Sequence, residues 1–268
     1  MSSRQAGGPG ESGTVAAGRE LAGRTALVTG GTRGIGRAIA LDLAAGGARV
    51  AIQGRSAAGA AETAGLLAAQ GLHAGTFLAD LGRADAAAAL AAEVTAALPD
   101  LDTVVLFAGA DLLTGEAAKW PFERKLAELL QVDVTGTMLL ARALGRQMKE
   151  RGRGVVITCG WDQSAVGMEG DSGELFAAAK GAVTAFTRSL ARSLGPEVRA
   201  NCVAPGWIKT AWGEQASDPW QRRAVRESML RRWGTPEDVA GVVRWLVSPA
   251  AAFVTGQVVP VNGGFRRA

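Results

Sequence analysis

Apolar positions along this chain follow two alternating rhythms. Short unbroken runs, of which Thr25-Ala-Leu-Val28 is the first, read as strands buried on both faces. Between them, apolar residues recur every three or four positions, as on one face of a helix. The pattern predicts strands over 24–29, 49–53, 73–79 and 103–107, with helices over 37–46, 57–70 and 84–98 between them. Strand and helix alternate at the spacing of right-handed parallel crossovers, which defines a doubly wound α/β sheet with helices on both faces.

The first strand runs into Gly30-Gly-Thr32-Arg33-Gly34-Ile35-Gly36 and then a helical pattern. Glycines there let the backbone turn tightly and approach a pyrophosphate, whose charge meets the N–H groups and positive dipole of the following helix. The second strand ends in Gln53-Gly54-Arg55, with no carboxylate to hold a ribose 2′-hydroxyl. Arg33 and Arg55 are both placed to reach a 2′-phosphate, so NADP(H) is expected in preference to NAD. Asp80-Leu81 closes the third strand, Ala108-Gly109 follows the fourth, and 201–210 closes the sixth. Ligands of open α/β sheets bind at these carboxyl ends.

Composition narrows the function classes. With 48% hydrophobic and 20% charged residues, 268 positions suffice for one large core. Residues 1–20, rich in Gly, Ser and Ala, read as a disordered tail ahead of a single domain over 21–268. The net charge of +4 is scattered, without the basic and aromatic clusters that nucleic acid requires. No apolar run approaches the roughly 18 residues of a membrane span, and no signal-peptide core is present. Cys159 and Cys202 lie in apolar runs, which suits small core residues and a reducing cytoplasm. The single histidine, His73, cannot make a metal site alone, so no metal is expected.

By these motifs the chain resembles the short-chain dehydrogenase/reductase family from residue 22 to 265. Further matches are Lys180, Pro205-Gly206, Arg232-Trp-Gly-Thr-Pro-Glu-Asp-Val-Ala240 and Thr255-Gly-Gln-Val-Val-Pro-Val-Asn-Gly-Gly264. The resemblance implies a Rossmann-type seven-stranded parallel sheet in order 3-2-1-4-5-6-7. It also implies homodimers or homotetramers formed through two long helices, about 132–150 and 172–193. It places Asp80 at the adenine edge, Ala108-Gly109 under the cofactor and Lys180 on the nicotinamide ribose. Pro205, Gly206, Ile208 and Thr210 close over the carboxamide, and 207–233 covers a small-molecule substrate.

The family's catalytic pattern, Tyr-x-x-x-Lys, reads Phe176-Ala-Ala-Ala-Lys180 here, and the chain contains no tyrosine. A phenyl ring cannot give the proton that a developing alkoxide needs, and general acid catalysis is typically worth about 10²–10⁴-fold. Counting back from Phe176, the family serine falls at Gln163, with Ser164 one place off and Trp161 an alternative occupant. The family's relay asparagine is matched by Asp133. Asp133, Asp162 and Glu174 are the carboxylates able to replace the missing acid. Trp161, Trp207, Trp212 and Trp220 are candidates for a flat apolar pocket. Three readings follow. The first is an atypical, biosynthetic NADP(H)-dependent oxidoreductase of apolar or aromatic carbonyl or hydroxyl compounds. The others are a non-redox cyclase, dehydratase or isomerase, and a catalytically silent NADP-binding protein.

Overall fold

The computed structural model describes residues 18–265, so most of the expected tail lies outside it. Glu20, counted with that tail, is part of the folded body: its carboxylate takes a two-pronged contact from Arg244 at 2.6 and 3.0 Å. Leu21 beside it, the first residue of the expected domain, is fully buried.

The seven strands are β1 (Thr25–Thr29), β2 (Arg49–Gly54), β3 (His73–Leu78), β4 (Thr103–Leu106), β5 (Gly154–Cys159), β6 (Val198–Pro205) and β7 (Val258–Val261). They pair in parallel throughout, in the order β3-β2-β1-β4-β5-β6-β7. The helices are α1 (Gly34–Ala45), α2 (Ala57–Ala68), α3 (Ala86–Ala97), α4 (Phe122–Leu129), α5 (Thr137–Glu150), α6 (Asp171–Leu194), α7 (Ala211–Gln215), α8 (Asp218–Glu227) and α9 (Pro236–Val247).

Alternate strand residues feed two cores. Val28, Ile52 and Val105 pack with α1, α2 and α9, whereas Leu27, Val104 and Val156 pack with α3, α5 and α6. A strand covered on both faces needs apolar side chains at every position, which is why its sequence shows no alternation. A capping box between Thr235 and Asp238, with Pro236 in the first turn, starts α9.

The helix expected over 132–150 begins differently. Leu130–Gly136 is wound as a π-helix joining α4 to α5, and α5 proper starts at Thr137. A π-turn inserts an extra residue into the helical ladder and commonly marks a functional position. Here it carries Asp133.

Candidate active site

The carboxyl ends of β1 to β6 open into one cavity of about 610 Å³. At one end is the glycine turn. Gly30 adopts φ 67°, and a Cβ there would lie 2.9 Å from the Ala108 Cα, so only glycine lets the two loops touch. A Cβ on Gly36 would collide with the Gly30 carbonyl. No side chain caps the N-terminus of α1, which leaves its first N–H groups facing the turn.

Gln53 has a structural task that its sequence position does not reveal. Its Oε1 accepts from Gly30 N at 3.2 Å and its Nε2 donates to the Ala79 carbonyl at 2.8 Å, tying together the ends of three strands. Arg33 and Arg55 both line the cavity. Arg33, though 66% exposed at its side chain, is shared with Asp111 at 3.4 Å. Thr32, Gly34, Ile35, Asp80, Leu81, Ala108, Gly109, Pro205, Gly206, Ile208 and Thr210 also line it, as the sequence motifs require.

The other end holds a buried ion pair. Lys180 Nζ, on α6, is 2.8 Å from Asp133 Oδ2 on the π-turn, and the residues are 8% and 2% exposed. Asp133 Oδ1 accepts from Ala110 N at 2.8 Å, so both carboxylate oxygens are occupied as acceptors. Burial, the largest single influence, draws the Lys180 ammonium toward its neutral form, but the charge and hydrogen bond of Asp133 together with the neighbouring Cys159 and Cys202 outweigh it and hold its pKa above the usual lysine range. Cys159 also lines the cavity, its thiol pushed up to about 11 by burial. At neutral pH it is a thiol.

Not every candidate reaches the cavity. Ser164 Oγ, in the 3₁₀ turn Asp162–Ala165, donates to the Trp161 carbonyl at 2.7 Å and does not line the cavity. Asp162 sits behind the Pro205–Gly206 turn, where its Oδ2 accepts from Asn262 Nδ2 at 3.0 Å. Glu174 faces solvent. Ser164, Asp162 and Glu174, expected from the sequence as catalytic candidates, are thus not among the residues that line the cavity. Asp133 lines the cavity, as an acceptor held by Lys180. Trp161 lines the cavity instead of Ser164, and meets the Phe176 ring edge-on at 6.4 Å. Sequence reasoning missed Met168 and Ser172, which also line it; the four-residue spacing Ser172, Phe176, Lys180 on one helix was the available signal.

The roof is built from tryptophans. Trp207 stacks on Trp212 at 6.0 Å and lies 5.6 Å from Trp220, and all three line the cavity. Trp207 Nε1 donates to the buried Glu227 at 2.9 Å, and Arg223 reaches the same carboxylate at 2.7 Å. The fork of Arg223 then grips Glu169, at 2.6 and 3.2 Å, on the loop before α6. Arg223 thus joins the roof to the opposite wall.

A parallel sheet with a glycine turn at one end of its cavity and a buried lysine at the other defines a nucleotide-binding α/β protein. The family model described as enoyl-(acyl carrier protein) reductase matches residues 30–266. The chain is 35% identical to the 3-oxoacyl-[acyl-carrier-protein] reductase of Pseudomonas aeruginosa, over 91% of this chain and 98% of that one. It is 34% identical to dehydrogenase/reductase SDR family member 4 of Sus scrofa, over 92% and 88%. Among solved structures, a 3-oxoacyl (acyl-carrier-protein) reductase of Agrobacterium tumefaciens with NADP bound superposes with a TM-score of 0.82 and 32% identity, covering 91% of this chain and 95% of that one. The chain belongs to the short-chain dehydrogenase/reductase family of oxidoreductases.

Proposed function

We propose that this protein is an NADP(H)-dependent oxidoreductase of apolar or aromatic carbonyl or hydroxyl compounds, in which Phe176 stands where the family tyrosine stands. The observation that carries the reading is the continuity of one cavity from the glycine turn and Arg55 to the Lys180–Asp133 pair. The residues suit the cofactor. The Gly30 and Gly36 cradle has no room for a Cβ, the uncapped α1 N-terminus faces it, and Arg33 and Arg55 provide charge for a 2′-phosphate where no carboxylate opposes it. When bound, NADP(H) supplies or accepts a hydride.

The chain's own residues then have defined tasks. Asp80 and Leu81 border the adenine end, while Ala108, Gly109, Pro205, Gly206, Ile208 and Thr210 enclose the remainder. Lys180 is held charged by Asp133 and presents an ammonium to an oxygen beside it, and neither Phe176 nor Trp161 donates a proton there. Substrates whose reduced oxygen is a delocalised anion, quinones above all, make the smallest demand on such a site. The tryptophan roof excludes water and favours flat apolar molecules. Leu130 and Leu139, exposed on the α4–α5 arm, support pairing of copies through that arm. Both cysteines are free, which supports a reducing cytoplasm.

Phe176 also favours a second reading, a non-redox enzyme using the Lys180–Asp133 pair or a silent NADP-binding protein. Incubation with NADPH and a panel of quinones, ketones and imines separates the readings. Oxidation of NADPH by quinones is expected, and a Phe176→Tyr variant should gain ketone reduction by up to about 10²–10⁴-fold. Turnover without nicotinamide, or NADPH binding without any turnover, would sink the redox reading.

A further inference from the structure

Ser172, Phe176 and Lys180 occupy successive four-residue steps of α6, and all three line the same cavity. Ser172 and Lys180 are eight residues apart, about 12 Å along the axis at about 1.5 Å per residue. Side chains lean toward a helix's N-terminus, so the long lysine stem brings the two polar groups closer than their Cα positions. Between them the wall is aromatic or soft: Phe176, Trp161 edge-on to it, Met168 and, from the roof, Trp212 and Trp220. Ser172 is half-buried, and among the described residues no side-chain hydrogen bond engages its hydroxyl. It is therefore free to bond a ligand.

We infer that Ser172 is a substrate-positioning residue, and that the cavity takes a fused-ring aromatic compound carrying one oxygen at the Lys180 end and a second at the Ser172 end. This deepens the functional reading above, since the Lys180 end is where that reading puts the reacting oxygen. The physical reason is the cost of mismatch. A molecule apolar at both ends strips water from the Ser172 hydroxyl without replacing its hydrogen bond, whereas a hydroxyl or carbonyl at the far end restores it. Rigid fused rings keep the two oxygens apart at little entropic cost, and the T-shaped and stacked indoles match their faces and edges. Ser172 thus selects among aromatic substrates and sets how far each slides along α6.

Isothermal titration of the full chain, saturated with NADP⁺, tests this with two probes. One is the parent anthraquinone, whose ring carbonyl can meet Lys180, and the other carries one added hydroxyl on an outer ring, which can reach Ser172. One neutral hydrogen bond nets about 1 kcal/mol, which predicts roughly fivefold tighter binding of the hydroxylated compound. Ser172→Ala should abolish that preference without weakening the parent compound, which then buries no unpaired hydroxyl, and Ser172→Thr should restore it. An equal preference in Ser172→Ala, no preference in the unaltered protein, or failure of both probes to bind would overturn the inference. NADP⁺ binding, measured first in the same cell, stands apart: its loss counts against the cofactor reading, not against the role of Ser172.

Discussion

Lys180 Nζ and Asp133 Oδ2 are 2.8 Å apart in a pocket that leaves neither residue more than 8% exposed. A buried pair contributes little net stability over an apolar pair, but removing one partner strands the other's charge. Asp133→Ala should destabilise the fold by about 3–5 kcal/mol, whereas Asp133→Asn, whose single amide oxygen can still accept from one of the two donors, Ala110 N or Lys180, should cost less. Urea unfolding of the two variants measures the difference. Equal losses would mean that the lost charge alone, and not the hydrogen bond that asparagine keeps, sets the cost.

Arg55 and Arg33 both line the cavity, but among the described residues only Arg33 is shared with a carboxylate, Asp111. A 2′-phosphate must compete with Asp111 for Arg33, so Arg55 should carry most of the discrimination. Arg55→Glu is expected to weaken NADP⁺ binding about ten- to a hundredfold while changing NAD⁺ binding far less. Calorimetry with both nucleotides decides it, and parallel losses would remove Arg55 from phosphate recognition.

Asp162 predicts a pH dependence of stability. Burial is the main cause that pushes its carboxyl up to about 6, partly offset by the Asn262 hydrogen bond. The unfolded value is about 3.9. Between these values the native chain holds more protons than the unfolded one, so this group's contribution to stability improves as pH falls from about 6 to about 4. Above about pH 6 the ionised form carries its full cost. Asp162→Asn removes that cost. The variant should match the unaltered protein below about pH 4, gain on it between about pH 4 and 6, and hold a constant lead of roughly 1–3 kcal/mol above. Denaturant melts across that range would refute the account if the lead were independent of pH.

Arg223 ties Glu227 and Glu169 together beneath and beside Trp207. Arg223→Ala leaves the buried Glu227 with only the Trp207 N–H and should cost about 1–3 kcal/mol. It should also speed proteolysis within 211–227. Glu169 is 76% exposed at its side chain, so solvent screens its contact with Arg223 and Glu169→Ala should leave stability nearly unchanged. Fragment analysis after limited digestion distinguishes an opened roof from general unfolding.

The strand runs, the glycine turn and Lys180 were legible because each is a local pattern: unbroken apolar runs, glycines at required spacing, residues four apart on a helix. Gln53 was read only as a missing acid, since its bonds to Gly30 and Ala79 join segments 23 and 26 residues away. Ser164 and Asp162 were misplaced for a different reason. Counting back from Phe176 led only to the neighbourhood of Ser164, and Asp162 was chosen for its carboxyl alone; in the 3₁₀ turn after Trp161 Ser164 bonds the Trp161 carbonyl and Asp162 accepts from Asn262, and neither lines the cavity. The helix expected from 132 proved to be π-wound because nothing in a short sequence window distinguishes an i→i+5 ladder from an i→i+4 one.

The sequence by itself determined the parallel doubly wound sheet, the glycine turn that ends its first strand and the identity of Phe176, a ring with no proton to give. Period and turn chemistry are local properties, and so is the identity of a side chain. Only the tertiary structure decided that Asp133 occupies Lys180 with both its oxygens engaged, that Trp161 and not Ser164 faces Phe176, and that Ser172 lies free at the far end of the same wall. Those relations depend on how separate loops meet at the sheet's edge, where distance in space is unrelated to distance along the chain.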